Sequence, residues 1–452
     1  MRHITLLFLI GFLCIGTTIS AQTSPLPSPI PFGKCVNFGN ALEAPNEGEW
    51  GLVIEEDFMA TLANAGFDTV RIPIKWSGHA QTTAPYTINA TFMARIVEVV
   101  DWAMDANLQV VLNIHHYDEI TSTPPANHTA RINAIWSQIA TQFAGYPPTL
   151  AFELLNEPHG TLTAMLWNNL YPQLITTIRA TNPTRLLIFG GIQWNSHLTL
   201  NQLVLPTDKS NLMATFHYYS PFEFTHQGAE WIDNSDPWLG TTWGTVTEYE
   251  TVADDFEAVR LWSEANAIPV WLGEFGSYYK ADIASRLLYT EAVRSTAEAN
   301  GMGWCYWEFA AGFGIYDKNT DLFNDLYRAL IPEGTFTEVE MNEQAFLAQL
   351  QATAQVMNSP IYPLLVDIIP NGAVITLSYN NTATGTAQIQ FVTHGLVRVV
   401  ITQTTGTFSD DIQRDLPSMI LTTFDTFLAQ HAITDVVLEG IRLTLTAVVF
   451  QL

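Results

Sequence analysis

Basic residues are scarce in this chain: 18 Lys and Arg stand against 44 Asp and Glu in 452 residues, a formal net charge of −26. Such a surface repels polyanions, so nucleic acid is excluded as a primary partner and a neutral or cationic one is favoured. Cysteine is nearly absent, with three residues. Cys14 falls in the opening apolar run, and Cys35 with Cys305 cannot build a disulfide-dense scaffold or a four-cysteine zinc site. No His-Glu-x-x-His or second adjacent-histidine motif occurs, so neither a metal nor another cofactor is expected. Beyond the first residues no run is long and apolar enough to span a membrane. Tryptophan is missing from the C-terminal part: all 13 lie between Trp50 and Trp307. That asymmetry divides the chain in two.

Residues 1–21 read as a signal peptide. Arg2 and His3 precede an apolar core from Ile4 to Gly16, and the small residues Thr17, Thr18, Ser20 and Ala21 suit cleavage near Ala21. A secreted, extracellular protein is the expectation. Residues 22–32, rich in Pro and Ser, read as an extended leader.

From 33 to 331 short β-rich apolar runs alternate with longer segments of helical period. The expected strands are Lys34 to Phe38, Thr69 to Ile74, Gln109 to Ile114, Leu150 to Leu155, Arg185 to Phe189, Leu212 to Phe216, Val270 to Leu272 and Gly303 to Tyr306. Helices are expected between most of them, with one gap after Phe189, where a turn and a short apolar run replace an amphipathic pattern. This is the α/β pattern of a (β/α)8 TIM barrel, whose chemistry gathers at the C-terminal strand ends. Residues 332–452 read as a smaller α+β accessory domain, with helices near Met341 to Met357 and Asp411 to Gln430 and a last strand from Ile441 to Gln451. Without tryptophan it is a poor aromatic-platform sugar-binding module, and it lacks an acidic Ca²⁺ loop.

The strand ends carry Arg71, His115 and His116, Asn156 and Glu157, His217 and Tyr219, Glu274, and Trp307 with Glu308. Glu157 and Glu274 each close an apolar run, where a carboxylate is costly without partners or a task. A proton donor and a nucleophile are the roles such a pair suggests. Cys35 and Cys305 fall in the first and eighth strands, neighbours in a closed barrel, where the default is two buried thiols and one bridge is the alternative.

The motifs LLNEPHG, WLGEFGS, VRIPIKW, LNIHHYD, FHYYSPFEFTHQGAEW and GWCYWEF, in barrel order, resemble those of glycoside hydrolase family 5, in the clan of retaining barrel glycosidases. The resemblance spans about Gly33 to Ile331; KCVNFGN in the first strand departs from the family pattern at Cys35 and Phe38. It implies an endo-β-1,4-glucanase of cellulase type, with β-mannanase or xyloglucanase activity and a noncatalytic glycan-binding barrel as alternatives. By position, Glu157 resembles the acid/base and Glu274 the nucleophile. Arg71, His115, His116, Asn156, His217, Tyr219 and Trp307 match surrounding substrate-binding positions. Trp231, Trp238 and Trp243 lie in the long segment from Pro221 to Glu250, and Trp231 is the candidate sugar platform there, because long connections are usually functional and flat rings suit sugar C–H faces. The partner implied is a polysaccharide.

Overall fold

The computed structural model of the chain describes residues 32–332, 337–357, 374–380, 384–392, 396–405 and 450–451. The expected signal peptide, nearly all of the leader, the helix from Asp411 to Gln430 and most of the last strand lie outside the described residues.

Eight parallel strands close a barrel in sequence order: β1 (Lys34–Asn37), β2 (Thr69–Ile72), β3 (Gln109–Asn113), β4 (Leu150–Glu153), β5 (Leu187–Gly190), β6 (Leu212–Tyr218), β7 (Val270–Phe275) and β8 (Trp304–Tyr306). The main outer helices are α1 (Glu56–Asn64), α2 (Ala90–Asp105), α3 (Thr129–Gln142), α4 (Ala164–Arg179), α5 (Val246–Asn266), α6 (Ile283–Ala299) and α7 (Leu326–Leu330). Their starts follow local chemistry. Asn89, Thr163 and Asp282 accept the first free N–H groups of α2, α4 and α6, and Thr245 with Glu248 makes a reciprocal capping box on α5. After β5 the chain turns through Gln193, Trp194 and Asn195, all left-handed, into a short 3₁₀ segment. No amphipathic helix forms there, as the sequence pattern implies.

Alternation along the strands sorts the interior into layers. Cys35, Val111, Ala151, Ile188, Met213, Trp271 and Cys305 pack with Phe32 as a lower apolar layer. Two residues further along their strands, Asn37, Asn113, Glu153 and Thr215 form a buried polar layer above it, with Arg71 and His217.

The expectation of free thiols is corrected. Cys35 and Cys305 form a disulfide. The reason is register: β1 and β8 place the two residues directly opposite one another, with Cα atoms 4.1 Å apart and both side chains turned into the lower layer.

Beyond the barrel, Thr337–Asn342, Leu396–Thr405, Thr384–Val392, Val374–Asn380 and Phe450–Gln451 pair in that spatial order as a second sheet, accompanied by the helix Glu343–Met357. The first four strands pair antiparallel and the last joins parallel.

Candidate active site

Two local departures from regular strand geometry aim the carboxylates. Strict alternation from inward Trp271 would turn Glu274 outward, but the ladder slips between Leu272 and Phe275, so His217 pairs with Glu274 and both face the barrel mouth. Gly273 permits the slip: a Cβ there would meet the Thr215 hydroxyl oxygen at 2.6 Å. Glu157 follows β4 with φ 50°, a left-handed conformation that non-glycine residues adopt at a cost and that swings its side chain over the mouth.

Arg71 is the hub beneath them. Its Nε and Nη2 donate to the two oxygens of Glu153 at 2.6 and 2.9 Å. Nη1 donates to Glu274 Oε1 at 2.7 Å and to Asn37 Oδ1 at 2.8 Å, and Nη2 also donates to Asn156 Oδ1 at 2.7 Å. All five N–H groups of the guanidinium are satisfied by buried acceptors. Burial favours loss of its proton, and Glu153 and Glu274 more than reverse that, so the group stays cationic. Tyr219 donates to the other Glu274 oxygen at 3.0 Å; burial, then the charge of Glu274, holds its phenol well above the ordinary range and keeps it a donor.

Burial raises Glu274, and His217 and Arg71 pull it back. Burial also raises Glu157, to about 7, with Arg71 and His159 opposing and Glu153 reinforcing. The Glu157 side chain keeps 24% of its surface open, so it is reached from the groove. His217 Nδ1 lies 2.8 Å from Glu157 Oε1 and 3.5 Å from Glu274 Oε2. Burial lowers this histidine to about 4, which leaves it neutral at pH 7. With the Asn195 amide donating toward Nε2 at 3.3 Å, the imidazole proton sits on Nδ1 and is donated to Glu157.

The remaining predicted residues fall at graded distances. His115, neutral through burial, lies between the amides of Asn113 and Asn156 and stacks on Trp307 with ring centroids 5.7 Å apart. His116 touches neither carboxylate; its ring meets His115 and Trp50 edge-on. Trp231 is 57% exposed and packs on Tyr278, in a cluster with Phe313 that reaches Tyr219 and Trp307. Trp243 is buried against Tyr249 and Tyr289, so it braces the loop and offers no ring to a ligand. Glu153, Asn37 and Asn195 were not singled out by sequence. A charge within the apolar run LAFELL marks Glu153; nothing comparable marks Asn195. Glu43 and Glu308, both buried, accept backbone N–H groups of the loops after β1 and β8 and are raised by burial to about 8 and about 7.

Among the described residues, donor atoms of Glu157, His217 and Glu274 lie within 4.8 Å of one another. The set resembles a cation site in type, yet both Glu274 oxygens already accept from Arg71 and Tyr219, and the guanidinium opposes a second cation. A proton donor, an anchored carboxylate and a neutral imidazole are the chemistry this arrangement offers.

The model of cellulase, glycosyl hydrolase family 5, matches residues 34–312. Endoglucanase H of Acetivibrio thermocellus is 37% identical over 312 residues, covering 67% of this chain and 33% of its own length. Endoglucanase B of Clostridium cellulovorans is 30% identical over 62% of this chain and 69% of its own. The chain thus spans about a third of the former relative and about two thirds of the latter. Among solved structures, the endoglucanase Cel5A of Thermotoga maritima is 45% identical with a TM-score of 0.65, over 66% of this chain and 97% of that one. It has also been solved in complex with mannotriose and with cellobiose. With its barrel closed in order, its two glutamates at the ends of β4 and β7, and the match covering most of that barrel, this chain belongs to glycosyl hydrolase family 5.

Proposed function

We propose that the protein is an endo-acting β-1,4-glucanase that cleaves with retention of configuration. The observation that carries the retaining reading is the approach of the two carboxyls: an oxygen of Glu157 and one of Glu274 lie within 4.8 Å. Retaining pairs stand about 5 to 5.5 Å apart, whereas inverting pairs leave about 6.5 to 9.5 Å for a water.

In the first step a Glu274 oxygen bonds to the anomeric carbon as the glycosidic C–O bond breaks, and the leaving oxygen takes the proton of Glu157. Loss of the Glu274 charge into the ester lowers the proton affinity of Glu157. In the second step Glu157 takes a proton from water, the water oxygen bonds to the anomeric carbon, and Glu274 leaves as a carboxylate. Arg71 and Tyr219 hold Glu274 still through both steps, and His217 fixes one oxygen of Glu157 so that the other carries the proton. The Asn156 amide and His115 are the groups for sugar hydroxyls, and Trp307 is the floor for the reacting sugar's apolar face.

The mannan reading keeps the mechanism and changes the sugar. It is favoured by one finding, the solution of the Thermotoga maritima relative with both mannotriose and cellobiose. The test is a panel of β-glucan, mannan and xyloglucan run on wild type and Glu274→Ala, with the anomer of the first product followed by NMR. Retained β-anomer from glucan in wild type alone supports the proposal; an α-anomer first product, or equal activity in the variant, overturns it. Export through the N-terminal apolar segment belongs to the same proposal, and a mature N-terminus near residue 22 on the secreted protein would support it.

A further inference from the structure

We infer that Glu153 is a positioning residue for the reaction: by occupying the Nε and Nη2 edge of Arg71, it divides one buried cation between two carboxylates and keeps Glu274 from being neutralised. The inference rests on the retaining reading above. Arg71 and Glu153 are both fully buried, and their two-point contact uses the guanidinium edge that suits a carboxylate best. What remains for Glu274 is a single N–H from Nη1, which Asn37 flanks and aims. Asn37 is itself fixed by donating to the Gly273 and Tyr306 carbonyls, so the guanidinium cannot slide toward Glu274.

The charges around the two reacting carboxyls come from several elements: Arg71 on β2, Glu153 on β4, His159 just beyond Glu157, and His217 and Tyr219 from β6 and its end. Both histidines nearest the groove floor, His115 and His217, are held neutral by burial. Among the described residues Arg71 is therefore the one buried cation in contact with the nucleophile, and Glu153 is its second counter-ion. With Glu153 present, the trio of Arg71, Glu153 and Glu274 carries one net negative charge, and that charge is available to attack. Without it, the same trio is neutral, Glu274 is a weaker nucleophile, and Glu157 loses a nearby charge that keeps its proton on.

Glycosyl transfer to Glu274 should then slow, while departure of Glu274 in the second step should not. A residue that merely held the barrel together would scale both steps alike. Glu153→Gln keeps the shape and removes the charge; Glu153→Asp keeps the charge and shortens the reach. Both are to be compared with wild type on dinitrophenyl β-cellobioside, whose leaving group needs no acid, and on soluble β-glucan across pH. Glu274→Ala is the control.

In Glu153→Gln the expected results are both limbs of the glucan profile displaced to lower pH by about one unit, as for loss of a nearby charge, loss of the dinitrophenol burst, and a higher KM for the aryl glycoside. Glu153→Asp should keep the limbs at their wild-type positions despite a lower kcat. Limbs unmoved in Glu153→Gln, with kcat reduced equally at every pH and the burst retained, would overturn the inference. Should Glu153→Gln fail to fold, Glu153→Asp decides: limbs at wild-type positions support it, displaced limbs overturn it. Failure of the underlying retaining reading would show elsewhere, as an inverted first product from wild type, which still releases dinitrophenol, or as dinitrophenol release that persists in Glu274→Ala.

Discussion

Ala151 and Glu153 stand one pleat apart on the same strand, as do Cys35 and Asn37, and Val111 and Asn113. In each pair the first residue joins an apolar layer closed by a disulfide, and the second joins a polar layer whose every strong donor is spent on a neighbour. A step of two residues separates a region that holds the barrel shut from one that, on the proposed function, does its chemistry. The lower layer tolerates exchange of one apolar shape for another. The upper one does not, because removal of any partner strands a buried donor or charge. Stability and catalysis are thus adjacent in space yet governed by different terms, and single substitutions should pull them apart.

The largest effect is expected from Glu274→Ala, which should cost activity on the order of 10⁵-fold, as removal of a nucleophile does. Its stability should fall by only about 1–3 kcal/mol, the cost of leaving an Nη1 N–H and the Tyr219 hydroxyl without their acceptor, because Arg71 keeps Glu153, Asn37 and Asn156. A collapse of the melting temperature would mean that the upper layer also carries the fold. Trp271→Ala, one layer down, should show the reverse: about 3–5 kcal/mol less stability, with pH limbs at their wild-type positions. Any displacement of those limbs would show that the layers are coupled. Cys35→Ala combined with Cys305→Ala should follow at about 2–4 kcal/mol, visible in denaturant titration and absent from kcat at 25 °C.

Much of this division is legible in the sequence where hydrophobic period and barrel order govern. The eight strands, the ring of polar strand ends and the pairing of Glu157 with Glu274 follow from short apolar runs that each end in a polar residue. What alternation could not supply is the side on which Glu274 falls. The run Trp271, Leu272, Gly273, Glu274 places it outward by count, and only the slip at Gly273 brings it in. The thiols failed for a related reason, since a bridge between neighbouring strands depends on register and the sequence carries no register. Glu153 is masked because three residues later, past the end of β4, the chain offers a more conspicuous motif. Asn195 lies in a turn of three left-handed residues that has no periodic signature at all.

The smallest effect is also the one that separates the layers most finely, because it acts through a single proton. Burial lifts Glu157 from the usual carboxyl value of 4.5 to about 7. Between those values the folded protein binds a proton that the unfolded chain has released, so stability is fully present below about 4.5 and falls as pH rises toward 7. Since the side chain is 24% open to water, the loss attributable to this residue should be modest, on the order of 1–2 kcal/mol. Glu43, Glu308 and Glu274 act in the same direction, so the slope of wild type alone cannot isolate Glu157. The difference between wild type and Glu157→Gln narrows it to Glu157 and its coupling to Glu274, because the amide leaves Glu43 and Glu308 in place. That difference should change between pH 4.5 and 7 and stay flat above it. The same variant should lose the basic limb of kcat/KM on β-glucan while still releasing dinitrophenol from an activated glycoside. If the stability difference is flat across the whole range, Glu157 is not held protonated by its surroundings, and the acid of the first step must be sought in another group of the upper layer.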